Sequence, residues 1–251
     1  MRNSYKLILV AVAAVFISTV QTAPSLAQKA AKRSITKIAG DLYRVQNNFH
    51  FSALLVTPKG VIVTDPVNAE AAAWLKAEIA TRFKQPVKYV IYSHDHRDHI
   101  AGGEVFSDTA IFVGHENTKA AILGEKRPTP APDVTFSDTM TVELGGKRVE
   151  LTYVGRSHSD NSIVMRFPAE RALYAVDIVS VNRLPYKTLT DSYWPDWIDA
   201  LKKVETLDFD ILAPGHGKLG KKSDVAAHRG YLQDLYDGVV AGARAGKSVD
   251  D

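Results

Sequence analysis

The chain contains no cysteine. That absence excludes disulfides, thiolate metal ligands, a cysteine nucleophile and a lipid anchor on sulfur, and makes the protein indifferent to the redox state of its compartment. Charge of one sign is lacking as well. There are 31 basic against 28 acidic residues and no basic cluster, which argues against a nucleic-acid partner. No internal repeat and no long Gly/Ser linker interrupts the sequence, so a single domain is expected. The apolar run Leu7–Val20 is 14 residues, short of the ~20 that a spanning helix needs.

That run has the form of a secretory signal. Arg2 and Lys6 precede it, and Ser25-Leu26-Ala27 follows as a small-x-small cleavage pattern. Residues 1–27 are therefore expected to be a signal peptide, with export to the periplasm or beyond the cell and no stable membrane insertion after cleavage. Arg2 and Lys6 leave with it, so 29 basic residues then face 28 acidic ones. Residues 28–34 are expected to be a flexible leader and 35–251 the folded domain, enough for one sizeable core.

Strand-like runs are expected at Ile35–Ile38, Leu42–Val45, Phe51–Val56 and Gly60–Thr64, with a helix over Ala69–Phe83 and a buried strand over Val87–Tyr92. Directly after that strand comes Ser93-His94-Asp95-His96-Arg97-Asp98-His99. His94, His96, Asp98 and His99 offer four ligands within six residues, and imidazoles with a carboxylate suit zinc, with iron or manganese as alternatives. A helix at Gly102–Phe106, a strand at Ile111–Val113 and a helix around Asn117–Leu123 should follow. The proline-rich segment Lys126–Asp133 should be an irregular loop. Strands are expected again at Thr141–Leu144, Lys147–Val154, Ser162–Phe167 and Ala172–Val176. Helices at Asp196–Leu207 and Ser223–Ala243, with a strand at Ile211–Ala213 between them, complete the chain. This order, strands then helices and then the same again, predicts an α/β protein with two sheets covered by outer helices.

Three more polar groups stand at strand ends: His158 in Gly155-Arg156-Ser157-His158-Ser159-Asp160-Asn161, Asp177 after Leu173–Val176, and His216 in Pro214-Gly215-His216-Gly217. Taken singly, His158 suits a structural turn, Asp177 a helix cap and His216 a turn residue. Taken together with the metal loop, they make a site able to hold two metals.

With these motifs in this order, the chain resembles the metallo-β-lactamase superfamily from about residue 35 to the last helix. The resemblance implies a four-layer αββα sandwich with two zinc ions at one edge of the sheets. Carried over residue by residue, His94, His96 and His158 hold the first metal, Asp98, His99 and His216 the second, and Asp177 bridges them. Asp65, at the end of a strand, becomes an outer residue orienting a ligand histidine. Asp177 stands where the cysteine-containing lactamase subclass has cysteine, and Ser180 where that subclass has a substrate-gripping lysine. The pairing of His99 with Asp177 is similar to the glyoxalase II, lactonase and general hydrolase branches.

The expected chemistry is attack by a metal-activated hydroxide on an ester, thioester, lactone or amide of a small molecule, with Asp98 as the catalytic residue. The alternatives are a true β-lactamase and a non-hydrolytic periplasmic metal-binding accessory. Phe49, Arg183, Tyr186 and Trp194 are the candidate substrate contacts. Trp194 and Trp197 fit equally well as core residues of the helix that starts there, and Arg183 or Lys187 suits an anionic substrate. A monomer or small homo-oligomer is expected.

Overall fold

Strands β1 (Arg33–Ala39), β2 (Leu42–Asn47), β3 (His50–Thr57) and β4 (Gly60–Thr64) run as antiparallel neighbours, each reached through a short turn. A computed structural model describes residues 30–186, 189 and 191–248; the expected signal peptide 1–27 and Lys187 lie outside these. Helix α1 (Ala69–Arg82) follows, its first turn capped by Asn68, whose side chain accepts the Ala71 N–H. It returns the chain to β5 (Val87–Ile91), which pairs parallel to β4. Helix α2 (Arg97–Ile100), a 3₁₀ turn at Gly103–Phe106, β6 (Ile111–His115), α3 (Glu116–Gly124) and β7 (Val134–Phe136) complete a seven-stranded sheet in sequence order.

The second sheet has six strands. β8 (Thr139–Leu144) and β9 (Lys147–Tyr153) form a hairpin through Gly145-Gly146, both at positive φ. β10 (Ile163–Phe167) and β11 (Ala172–Tyr174) follow. Helix α4 (Asp196–Thr206) crosses to β12 (Ile211–Ala213), which pairs parallel to β11. β13 (Gly220–Lys221) and the long helix α5 (Lys222–Arg244) end the domain.

Side-chain alternation along the strands assigns three cores, which is why there are four layers. Leu55, Ile62 and Ile91 of the first sheet meet Leu151, Met165 and Tyr174 of the second between the sheets. Their neighbours Leu54, Val61, Val63 and Val90 face outward onto Ala72, Leu75 and Ile79 of α1. Val164, Leu173 and Leu212 of the second sheet face outward onto Ile198, Leu201 and Val204 of α4 and Val225 and Leu232 of α5. The expected αββα sandwich is present. Strands buried on both faces, such as β4, read in the sequence as continuous apolar runs for this reason.

Several boundaries differ from expectation. Arg33 and Ser34, assigned to the leader, are the first residues of β1 and pair with Asn47 and Gln46. The Gly102–Phe106 helix is replaced by α2 and the 3₁₀ turn, since Ala101 and Gly102 leave helical geometry. The strand expected over Ala172–Val176 stops at Tyr174, leaving Val176 to lead into the turn at Asp177. β7 and β13 are too short, at three and two residues, to carry a periodic signal. Among the described residues no helix is long and apolar enough to cross a membrane.

Candidate metal centre

Parallel pairing brings the C-terminal ends of β4 and β5 to one side of the first sheet, and those of β11 and β12 to the same kind of edge in the second. These ends carry Asp65, the Ser93–His99 loop, Asp177 and the Pro214–Gly217 turn. The Gly155–His158 turn after β9 and the tip of the β2–β3 hairpin meet the same edge. The hairpin docks by its backbone, Phe51 N–H donating to the Gly215 carbonyl at 2.8 Å. Gly215 is required there, because a Cβ would lie 2.6 Å from the Val176 side chain and 3.1 Å from the His99 ring.

Two ligand groups result. In the first, His94, His96, His158 and Asp177 bring one donor atom each to within 4.8 Å of one another. His158 Nε2 lies 3.0 Å from His96 Nδ1, and Asp177 Oδ2 lies 3.6 Å from His158 Nε2 and 3.9 Å from His94 Nε2. His94 is completely buried, its Nδ1 paired with the Ser93 hydroxyl at 2.9 Å, while its Nε2 has no partner. The outward Nε2 of His96 pairs with Asp191, and the Trp197 ring packs edge-on to His158. Asp95, between the two ligand histidines, turns away from the centre. It accepts from Arg127 at 2.8 Å and from the Asn161 amide at 2.9 Å, and its own N–H donates back to Asn161 at 2.9 Å.

The second group holds His99, His216, Asp98 and, unforeseen from the sequence, His50. His99 Nε2 and His216 Nε2 are 3.2 Å apart, and Asp98 Oδ2 is 3.7 Å from His99 Nε2 and 3.1 Å from His50 Nε2. Asp177 reaches this group too, with Oδ2 3.2 Å from His99 and Oδ1 3.4 Å from His216. His216 donates its Nδ1 proton to the Phe49 carbonyl at 2.9 Å. Arg44, buried beneath, donates to the carbonyls of Pro214 and Gly217 at 2.9 Å each, on both sides of His216. Its guanidinium lies 3.6 Å over the Phe51 ring.

The charges suit a cation. Burial, reinforced by the neighbouring imidazoles, holds His94 well below the usual histidine range, and burial also lowers His158 and His216. These rings are neutral at pH 7, the form in which an imidazole can ligate a metal. Burial opposes the charge on His99, but Asp177, Asp65 and Asp98 outweigh it and push this group up to about 9. The same neighbours keep the carboxylates ionised: burial works against Asp177 and Asp98, yet His99 and, for Asp98, the His50 hydrogen bond hold both below the usual range. The fit to a metal rests on His94 Nε2. A fully buried imidazole nitrogen without a hydrogen bond, aimed at a carboxylate and two further imidazoles, is an unmet donor that a divalent ion satisfies.

All seven ligand residues read from the sequence, His94, His96, His158, Asp98, His99, Asp177 and His216, meet at this centre. Asp65 does so differently from expectation. Among the described residues its hydrogen bonds come from the Ser93 N–H at 2.8 Å and the Tyr174 hydroxyl at 3.1 Å, not from a ligand imidazole. It positions His94 through Ser93, and burial pushes its own carboxyl up to about 6. Asp65 and Asp177 both hold positive φ, +36° and +55°, in the left-handed region that non-glycine residues seldom occupy. Phe49 stands 83% exposed at the hairpin tip, and Tyr186 is exposed as well. Arg183 runs past Gly217, next to His216. Trp194 is half-buried and takes the core role that the sequence left equally open to it, packing on Trp197 and stacking on Tyr236. His50, Arg44 and Asp191 went unread because each stands alone in the sequence, far from the loop it supports.

The superfamily profile described as metallo-beta-lactamase matches residues 46–216. The 2,4-dinitroanisole O-demethylase subunit alpha of Nocardioides sp. is 27% identical over 85% of this chain and 66% of its own length. The metallo-beta-lactamase type 2 of Bacillus cereus is 25% identical over 67% of each. The chain thus spans about two thirds of the length of these relatives. Among solved structures, a metallo-beta-lactamase from Pontibacter korlensis superposes with a TM-score of 0.71 at 26% identity, over 80% of this chain and 99% of that one. That of Hirschia baltica, at 15% identity and a TM-score of 0.69 over 78% and 96%, shares the fold. With its sandwich, its paired ligand groups and this match over most of its length, the chain belongs to the metallo-β-lactamase superfamily.

Proposed function

We propose that the protein is an exported hydrolase that holds two zinc ions and cleaves a carboxylic ester, thioester, lactone or amide bond in a small molecule. The observation that carries this is the placement of Asp177 within 4 Å of imidazoles from both ligand groups, so that one carboxylate serves two neighbouring metal positions. The all nitrogen and oxygen donor set suits zinc and also accommodates iron or manganese. Zinc at such a centre supplies a Lewis acid and lowers the pKa of water to about 7.

The chain's own residues supply the rest. Asp98 is ionised and, with its side chain 55% exposed, faces the open side of the centre. There it orients the attacking water, takes its proton and passes it to the leaving group. The exposed rings of Phe49 and Tyr186 offer apolar surface to the body of the substrate, and Arg183 offers a cation for an anionic part of it. No serine nucleophile is required. Ser93 is committed to His94, and Ser159 to Ser162.

A second reading, hydrolysis of β-lactams, is supported by the names of the Bacillus cereus and Pontibacter korlensis relatives. The name of the Nocardioides relative adds aryl methyl ethers to the substrates worth testing. The deciding experiment combines elemental analysis of the purified protein with a panel of ester, thioester, lactone, cephalosporin and nitroanisole substrates. About two zinc per chain with turnover of an acyl substrate is the expected result. Two metals with no turnover of any would favour the accessory role, and no metal after reconstitution would refute the hydrolase reading. Export is tested by the N-terminus of protein recovered from the periplasm, expected at Gln28.

A further inference from the structure

We infer that His50 is a ligand of the second metal position, so that metal bound there locks the β2–β3 hairpin that bears Phe49. This rests on the dinuclear reading above and adds a ligand to it. The superfamily motifs assign that position to Asp98, His99 and His216 with the bridging Asp177, and none of them includes residue 50.

Three observations carry the inference. First, His50 Nε2, Asp98, His99 Nε2 and His216 Nε2 form a group whose donor atoms all lie within 4.8 Å of one another, the same closeness as in the His94, His96, His158 and Asp177 group. Each half of the centre then has three imidazoles and a carboxylate. Second, the ring is placed rather than free. It packs edge-on against His216 at 4.7 Å and against His99 at 5.5 Å, and His50 bridges His216 through the backbone. Third, a histidine offers little else to a two-residue hairpin tip. Asn48 supplies the positive φ of the turn and Phe49 the exposed ring, while His50 turns inward onto Asp98.

The consequence is mechanical. The Phe49 carbonyl already accepts from His216, and the Phe51 N–H donates to Gly215. A bond from His50 to the metal adds a third tie between the hairpin and the Pro214–Gly217 turn, and it forms only when the ion is present. Metal occupancy and the position of the Phe49 ring are thereby coupled.

The test uses the full-length mature protein and two variants, His50→Ala and His50→Gln. Stepwise zinc affinities come from competition with a chromophoric chelator, imidazole counts from zinc X-ray absorption, and hairpin order from hydrogen exchange over residues 46–52. The wild type should bind two zinc with six imidazoles between them, and zinc should slow exchange in the hairpin. His50→Ala should weaken the second zinc by about 100-fold or more, the upper end of what losing even an outer partner costs. It should leave the first zinc unchanged, give five imidazoles and abolish the slowing of exchange. His50→Gln should be as weak as alanine, because an amide is a poor zinc ligand. Its amide N–H can still donate to Asp98, so recovery of affinity in that variant would reduce His50 to a hydrogen-bond partner and overturn the inference. Two zinc in both the wild type and His50→Ala, with equal affinities, would overturn it while leaving the dinuclear hydrolase standing. Fewer than two zinc in the wild type would remove both.

Discussion

The two halves of the centre offer the same kinds of donor, three imidazoles and a carboxylate each, but are built differently. In the first half, His94 and His96 share one loop directly after β5, and that loop is fixed from below: Ser93 holds His94, Asp65 holds Ser93, and Asp95 is locked to Asn161 and Arg127. In the second half, the donors come from residues 50, 98–99 and 216, and the contacts that align them are a hairpin backbone and one buried arginine. The first half is preorganised by local chain and a buried network. The second is assembled across the molecule. Arg44 is the clearest sign of this. A buried cation with two carbonyl partners, an unpartnered Nε and no carboxylate near enough for an ion pair among the described residues is costly to keep. Its position on both sides of His216 accounts for it.

Substitutions can break the contrast, and the largest effect belongs to the shared chemistry. Asp98→Asn should lower kcat/KM by about 10²–10⁴-fold while circular dichroism and Tm stay near wild type, since the side chain is exposed and packs in no core. Full activity would mean that another group handles the proton.

The halves should next part company with pH. His99 is protonated below about 9, and that proton must leave before the ring can bind an ion, so second-site affinity should rise about tenfold per pH unit from 7 towards 9. His94 is held neutral well below the usual histidine range, so the first site should show no such slope there. Chelator competition at several pH values measures both, and equal slopes would erase the distinction.

Arg44→Met should separate the halves by sequence instead. It removes the clamp on His216 and should weaken the second metal by about 10–100-fold, leaving the first untouched. The Pro214 and Gly217 carbonyls lose their donor, so Tm should fall modestly, and an unchanged first-site affinity separates positioning from a loss of fold. The converse variant, Ser93→Ala, should weaken only the first metal, by about tenfold, since it frees His94 Nδ1 and nothing in the second half. Loss of both metals in either variant would show the two halves to be one cooperative unit.

Legibility in the sequence followed the same division. The ligands that lie close together or end a strand in a marked turn, from His94 to His99 and at His158, Asp177 and His216, were all readable, because strand-end loops advertise themselves by an apolar run followed by polar residues. His50 carries no such signal, since nothing near it in the chain announces that the Pro214–Gly217 turn will come to rest beside it. Trp194, open in the sequence to a pocket or a core role alike, is placed against the outer core by Tyr236, forty-two residues further on in α5, whose ring stacks on it. Short β7 and β13 were missed because pairing with a neighbour, not their own pattern, makes them strands.

What the sequence by itself determined is local: the periods that make the strands and helices, the two-faced burial that demands helices outside two sheets, and ligand chemistry at each strand end. What only the tertiary structure decided is which of these meet. Asp177 comes to lie beside both ligand groups, Arg44 on both sides of His216 and His50 next to Asp98 because parallel pairing of β4 with β5 and of β11 with β12 brings distant strand ends to one edge. Side-chain direction is encoded residue by residue along a strand, whereas the distance between two strand ends exists only once the sheets have formed and packed.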